Sequence, residues 1–205
     1  MSYNDDLRNR NRWARTWYTF EMNGMGNGSQ YHADDTITIR YLTLDNDLGK
    51  QVTAGCVQIK RIPSHFNTRT RKAIGNSYRM LDCAFDAGDL MQLVHDMQLE
   101  TDDWQDAVMG KQLKRSDLYY IEELFVEPKF RGQGLAMHML RSLPAQLRLH
   151  LHEKKPVIAV IPYPLEYKPE DPQLNEAYAR LVTLYQRQGY SFPEGSTNTM
   201  IFNLE

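Results

Sequence analysis

The sequence has few cysteines and no long apolar run. These two features argue against a cysteine metal site and against a membrane-spanning helix. Its 205 residues include two cysteines, Cys56 and Cys83, whose separation matches no metal-binding spacing and favours reduced thiols in a cytoplasmic protein. A membrane-spanning helix needs about 20 predominantly apolar residues in a row, and the sequence has no such stretch. The charged N-terminal stretch also lacks the pattern of a signal peptide. We therefore expect a cytoplasmic protein without a membrane partner.

An excess of charge of one sign is also absent. The formal net charge is -2, so no positive field is available to hold nucleic acid non-specifically, and no nucleic-acid partner is expected. The six histidines show no His-x-x-x-His or glutamate-flanked pattern, and no metal site is predicted. Hydrophobic residues make up 41% of the chain, which is enough for a core. The length predicts a single domain over residues 1–205, with an insertion or substrate-side segment at 64–117.

A strand, a glycine turn and a helix follow one another in the second half of the chain. Tyr119 to Val126 is rich in aromatic and branched residues, which is typical of a buried strand. Glu127-Pro128 ends the strand because proline has no N–H to donate to the ladder. The turn is Arg131-Gly132-Gln133-Gly134. The next residues have apolar side chains at the three- and four-residue steps of an amphipathic helix: Leu135, Met139, Leu140, Leu143 and Leu147.

This order of elements directs backbone N–H groups at an anion. The first N–H groups of a helix have no partner within it, and the helix dipole makes that end positive. Gly132 and Gly134 can take positive φ and allow close approach of a ligand, and Arg131 adds a charged donor fork. The turn therefore predicts a pyrophosphate site, with an ordinary strand-to-helix connection as the alternative. The motifs of a P-loop and of a dinucleotide-binding fold are absent.

Further strands and a helix are predicted on both sides of this unit. Trp13 to Met22 is either a strand or a short helix. The other predicted elements are a hairpin of Thr36–Leu44 and Gln51–Ile62, an apolar strand Pro156–Ile161, a helix Leu174–Gln188, and last strands Tyr190–Phe192 and Met200–Leu204. The order of strands and helices is mixed α/β, and the strand–helix–strand crossover predicts one parallel pair.

The turn resembles the acetyl-CoA loop of the GNAT acyltransferases, Arg/Gln-x-x-Gly-x-Gly/Ala. Arg131, Gly134 and Ala136 match it, and Val126–Phe130 is similar to the Val-x-Pro-x-Tyr/Phe lead-in of the family. The resemblance covers about residues 118–204. It implies the GNAT fold, a central, mostly antiparallel twisted sheet with one parallel strand pair splayed at an acetyl-CoA slot and helices on its flanks. It also implies acetyl-CoA as acyl donor, bound by Leu124, Phe125, Val126, Arg131, Gly132, Gln133, Gly134, Leu135 and Ala136.

A second resemblance lies near the C-terminus. Leu184–Tyr190 is similar to the GNAT motif Leu-Tyr-x-x-x-Gly-Phe/Tyr. It implies that Tyr185 is the acid that protonates the departing CoA thiolate, and the alternative is a tyrosine that only fills the core. Many members of the family have Asn and Ala seven and four residues before this tyrosine, where this chain has Tyr178 and Leu181. Asn175 is the candidate replacement for the missing amide.

Two carboxylates interrupt the apolar central strand. Glu122 and Glu123 are expected on opposite faces, because side chains alternate along a strand. A carboxylate in such a strand is costly unless it faces a cavity or a partner, so each is a candidate for proton transfer or a structural, ion-paired residue. Residues 121–126 look like Leu-Glu-Asp-Phe-Phe-Val of the spermidine/spermine acetyltransferases. This similarity implies Glu122 as the base and Glu123 as the contact to a cationic substrate.

These features predict direct transfer of an acetyl group from acetyl-CoA to a primary amine of a small molecule or peptide. Neither a Gly-x-Ser-x-Gly elbow nor a Cys-His pairing indicates a covalent intermediate. The alternative is a non-catalytic acyl-CoA-binding or protein-interaction module that keeps the fold. The acids at positions 82–106 either attract a cationic acceptor or form a solvated face. A homodimer is left open.

Overall fold

The structure is a computed structural model that describes residues 16–23, 36–45, 49–62, 117–192 and 199–202. Its strands are β1 Trp17–Asn23, β2 Thr36–Asp45, β3 Lys50–Ile62, β4 Leu118–Val126, β5 Val157–Val160, β6 Tyr190–Ser191 and β7 Met200–Phe202. Helix α1 covers Leu135–Leu151 and helix α2 covers Leu174–Gln186. A short 3₁₀ turn, Pro128–Phe130, follows β4. The predicted insertion at 64–117 lies outside the described residues except for Asp117.

Within these ranges the strands form one seven-stranded sheet in the order β1-β2-β3-β4-β5-β7-β6. The neighbours pair antiparallel except for β4 and β5, which are parallel. The mixed α/β class, the mostly antiparallel sheet and the parallel crossover predicted from the sequence are therefore confirmed. The N-terminal segment, for which the sequence left two alternatives, is a strand that pairs with β2 from Trp17 to Asn23.

Apolar side chains at alternating positions of β2 and β3 form the face of the sheet that α1 covers. Ile37, Ile39 and Tyr41 occupy every second position of β2, and each is at most 1% exposed. Such branched and aromatic side chains pack well on a pleated surface, which is why this segment forms a strand. The apolar stripe predicted for α1 is buried against the same core: Leu135, Met139, Leu140, Leu143 and Leu147.

A buried tyrosine ties β2 to α1. The Tyr41 hydroxyl donates to Gln146 Oε1 at 2.9 Å and lies 2.9 Å from Ser142 Oγ. Burial raises the pKa of Tyr41 to about 12, while the hydrogen bonds to Ser142 and Gln146 oppose the rise. Since a buried hydroxyl without partners is destabilising, these contacts fix α1 in one position on the sheet. That position determines where the helix begins, at Gly134.

The parallel pair β4–β5 ends before β4 does. Pairing runs from Leu118 with Val157 to Ile121 with Val160, and β4 continues to Val126. After Val160 the chain leaves the sheet and reaches α2 through an irregular segment. Glu122–Val126 thus forms a strand edge without a ladder partner on the β5 side, within the described part of the chain. The two strands part as the sequence resemblance implied.

The C-terminal strands close the other edge of the sheet. Helix α2 is followed by Gly189, which has φ +89°, and β6 then pairs antiparallel with β7. A side chain at Gly189 would need this left-handed conformation, which glycine takes at little cost. The predicted last strands are confirmed for Tyr190–Ser191 and Met200–Phe202, and residues 203–205 lie outside the described ranges. No helix in the described ranges is long and apolar enough to cross a membrane.

Gly55→Ala tests the close packing of β3 on β4. A Cβ at this position would lie 2.5 Å from the Phe125 carbonyl oxygen and 3.3 Å from Met139 Sδ. Alanine also restricts the unfolded chain, which stabilises by about 0.4–1 kcal/mol, but overpacking a core costs about 1–3 kcal/mol. We therefore expect the free energy of unfolding to fall, measured by urea denaturation.

Thr53→Ala is the matched control for this substitution. Thr53 is exposed on the same strand, so its replacement should change the free energy of unfolding by no more than about 0.5 kcal/mol. Equal denaturation midpoints for Gly55→Ala and the wild type would show that β3 and β4 are not packed as closely as described.

Candidate active site

A cleft of about 850 Å³ opens where β4 and β5 part. Its walls are the free edge of β4, the start of the loop before α1, the segment after β5 and one face of α2. The cleft brings together several residues that the sequence singled out: Glu122, Glu123, Leu124, Phe125, Val126, Arg131, Ala136 and Tyr185. The motif residues from β4, the loop and α2 therefore share one site.

The glycine loop and the start of α1 lie beside this cleft, whose lining includes Arg131 and Ala136 but not residues 132–135. Gly132 has φ +68° and Gly134, the residue that precedes the helix, has φ +83°, which confirms the expected left-handed conformations. The first turn of α1, which the structure describes in full, contains no acidic residue and receives no side-chain cap. The N–H groups of that turn are consequently available to an anion, and the helix dipole favours it there.

Arg131 is held in a fixed orientation at the rim of the cleft. Its Nε donates to the Val126 carbonyl oxygen at 2.8 Å, and its Nη2 lies 2.5 Å from Glu166 Oε1. The guanidinium also lies over the Phe125 ring, 5.8 Å from its centroid. The arginine is thus oriented by the last residue of β4 and neutralised by a carboxylate from the opposite wall.

Other predicted donor-binding residues differ in their placement. Leu135 is 1% exposed in the core and supports the loop from below. The Gln133 side chain donates from Nε2 to the Lys129 carbonyl oxygen at 2.8 Å and so holds the loop together. Asn175 is exposed at the start of α2 and is not part of the cleft wall, to which α2 contributes Ala177, Arg180, Leu181, Leu184 and Tyr185.

A β-bulge in β4 corrects one sequence expectation. Gln58 pairs with Glu123 and Ile59 pairs with Ile121, so Glu122 is the extra residue. The bulge cancels one step of the alternation along β4. Glu122 contacts Lys60 and Glu123 contacts Gln58, which are two residues apart on β3 and so share a face. The expectation that the two glutamates point to opposite faces is therefore wrong, and both line the same cleft.

The two carboxylates have different electrostatic surroundings. Glu122 Oε1 lies 2.7 Å from Lys60 Nζ, so its charge is compensated by an ammonium group. Glu123 Oε2 accepts a hydrogen bond from the neutral Gln58 amide at 2.8 Å. Within the described residues Glu123 forms no ion pair. Burial raises the pKa of the nearby Cys56 thiol, and the negative charge of Glu123 raises it further, so this thiol stays protonated.

Tyr185 lies at the inner wall of the cleft. It is 3% exposed and packs edge-on against Tyr190, with ring centroids 5.3 Å apart. Burial, and to a smaller extent the nearby Tyr120, raises the pKa of Tyr185 well above the usual value. The hydroxyl is accordingly protonated across the neutral range. Tyr185 is thus both buried in the core and part of the cleft wall, a position compatible with either role that the sequence left open.

Two cleft residues that form ion pairs with predicted site residues, Lys60 and Glu166, were not predicted from the sequence. Lys60 lies in β3, and the pattern of polar and apolar residues in that strand does not predict a charged partner in β4. Glu166 lies in the proline-rich segment after β5 and reaches Arg131 across the cleft. Neither residue is part of a motif, so the available signal was only that β3 carries a lysine on its polar face. Within the described ranges no group of three or more metal-ligating side chains is placed to hold a metal ion.

Comparison with known proteins gives little beyond this geometry. No model of a protein family matches the chain, and no curated protein sequence matches it. A solved structure described as Arabidopsis thaliana NAA60 in complex with acetyl-CoA is similar with a TM-score of 0.39 and 12% identity. The match covers 98% of this chain and 94% of that chain.

An alkaline titration tests the environment of Tyr185. Because the folded-state pKa is raised above the unfolded value of about 10, the neutral buried hydroxyl contributes stability below that pH, and this contribution is lost as pH rises. We expect tyrosinate absorbance of wild type and Tyr185→Phe to coincide until the protein unfolds. The urea-unfolded proteins should then differ by one tyrosine. A difference near pH ~10 while circular dichroism remains native would contradict the burial of Tyr185.

Proposed function

We propose that this chain is an acetyl-CoA-dependent N-acetyltransferase that acts directly on a primary amine of a small molecule or peptide. The observation that carries the proposal is the parting of β4 from β5 beside the positive end of α1. Pairing of β4 with β5 ends at Ile121, and the cleft that opens there is bordered by Leu124–Val126 and by Arg131. A strand edge and a helix start are thus offered to one ligand.

The residues present fit the two ends of an acyl-CoA. Unpaired backbone groups of a strand edge need hydrogen-bond partners, and the amide groups of a pantetheine arm supply them. The start of α1, with two glycines in left-handed conformation and no acidic side chain in its first turn, suits a pyrophosphate. Arg131 would hold the same anion from the rim. When bound, acetyl-CoA supplies an acetyl group activated as a thioester.

The side chains of the cleft suit the proton transfers that such a reaction requires. An attacking amine must lose a proton, and a departing thiolate is helped by gaining one. Tyr185, protonated across the neutral range, is the proposed donor to the sulfur. Glu123 is the better acceptor of the amine proton, because Glu122 is already engaged by Lys60. This proposal gives Glu123 the role of base that the sequence resemblance implied for Glu122.

A non-catalytic acyl-CoA-binding module is the second candidate. It is favoured by Glu166, which engages Arg131, and by Leu181, which takes the place of the small family residue at the wall of the cleft. This candidate predicts that acetyl-CoA binds and that Tyr185→Phe changes no rate. The proposed enzyme predicts slower CoA release in that variant with an unchanged affinity for acetyl-CoA.

Calorimetric binding of acetyl-CoA to two variants at Gly134 tests the donor site. Asn and Asp both tolerate the left-handed conformation and have nearly the same shape, so the pair separates charge from strain. We expect Gly134→Asp to bind acetyl-CoA at least about tenfold more weakly than Gly134→Asn, which corresponds to about 1.4 kcal/mol, because a carboxylate repels a pyrophosphate. Equal affinities of the two variants, or no binding to the wild type, would contradict the proposed site.

A matched pair of glutamate variants tests the base. With acetyl-CoA and a panel of small primary amines and short peptides, CoA release is measured for Glu123→Gln and Glu122→Gln. Loss of a general base lowers turnover by about 10²–10⁴-fold, and we expect this for Glu123→Gln with little change in acetyl-CoA affinity. Glu122→Gln should have a smaller effect. The opposite order would return the role of base to Glu122.

A further inference from the structure

An amine of the protein itself lies in the cleft. The Lys60 side chain is 20% exposed, unlike most lysines, which extend into water, and it lines the cleft together with Glu122 and Tyr185. Its Nζ lies 2.7 Å from Glu122 Oε1. Glu122 is the bulge residue and the first residue of β4 beyond the last pair with β5. The ammonium group is therefore held at the point where the slot between the two strands begins.

We propose that Lys60 is a site of self-acetylation that uses an acyl-CoA thioester as the donor. The inference rests on the proposed function, because it requires an acyl-CoA in the slot. The geometry supplies what the reaction needs from the protein: a primary amine, a carboxylate in contact with it, and a protonated tyrosine on the wall of the same cleft.

The reaction balances with the groups in the cleft. Glu122 takes one proton from the Lys60 ammonium and passes it to solvent. Nζ then forms a bond to the thioester carbonyl carbon as the carbon–sulfur bond breaks. Tyr185 gives a proton to the sulfur, and the second proton lost by Nζ restores the tyrosine. The products are an amide at Lys60, free CoA thiol and one proton released to water.

Acetylation would change the charge of the cleft. Three cationic and three anionic side chains line it among the described residues: Lys60, Arg131, Arg180, Glu122, Glu123 and Glu166. An amide at Lys60 removes one positive charge and leaves Glu122 without its ammonium partner. The modified cleft is therefore more acidic, and it attracts cationic acceptors more strongly than the unmodified one.

The exposed lysines provide an internal control. Acetyl-CoA modifies accessible amines without catalysis, and Lys154, Lys155 and Lys168 are all exposed. Uncatalysed chemistry should therefore modify these residues before Lys60. Preferential modification of the less exposed lysine is the sign of a reaction within the cleft.

The test is a time course of the full-length protein with acetyl-CoA, followed by intact mass and peptide mapping. We expect Lys60 to gain an acetyl group at least about tenfold faster than the exposed lysines, with a first-order rate that does not change on dilution of the protein. Glu122→Gln and Tyr185→Phe should each slow this modification by about tenfold or more. Lys60→Arg should abolish it and leave the slow acetylation of the other lysines.

The outcomes separate this inference from the proposed function. If acetyl-CoA binds and CoA is released in the presence of an amine, but Lys60 stays unmodified or reacts no faster than the exposed lysines, self-acetylation is wrong and the enzyme assignment stands. A rate at Lys60 that is unchanged in Glu122→Gln also overturns the inference. Failure of the wild type to bind acetyl-CoA in the calorimeter overturns both.

Discussion

The loss of pairing between β4 and β5 is the constraint on which the site depends. Buried backbone N–H and C=O groups are almost always paired. The strand β4 separates from β5 after Ile121 but continues to Val126, so residues 122–126 have no ladder partner on the β5 side among the described residues. The core on the other side, with α1 fixed by Tyr41, keeps the strand in place beyond that point. The sheet thus presents a rigid edge with open hydrogen-bonding positions next to the start of a helix.

One irregular residue organises the polar side of the cleft. The bulge at Glu122 places two consecutive carboxylates on one face, where Lys60 and Gln58 of the neighbouring strand give them different partners. Because one partner is charged and the other is neutral, two chemically identical side chains are suited to different tasks. The bulge also lies where the pairing of β4 with β5 ends. The first carboxylate of the cleft and the first β4 residue without a β5 partner are therefore the same residue, Glu122.

Local signals in the sequence predicted most of the described fold. The alternation of β2, the helical steps of α1 and the glycines at 132 and 134 each depend on residues close in the chain, and all are confirmed. The bulge was missed because register is decided across strands. The contacts of Lys60 and Glu166 were missed for the same reason, since each partner lies far away in sequence. Predictions for the residues outside the described ranges and for the cytoplasmic location stay predictions, and the oligomeric state stays open.

The contact between Arg131 and Glu166 joins the rim of the cleft to the segment that follows β5. That segment also contributes Tyr163 and Tyr167 to the opposite wall. An anion that takes the Nη2 edge of Arg131 would compete with Glu166 for it, so occupancy of the loop and the Arg131–Glu166 contact belong to one equilibrium. Linkage requires the effect to be reciprocal: the Arg131–Glu166 contact lowers the affinity for the anion by the same factor with which the bound anion weakens that contact. An exposed ion pair contributes about 0–1 kcal/mol, so this factor is at most about five.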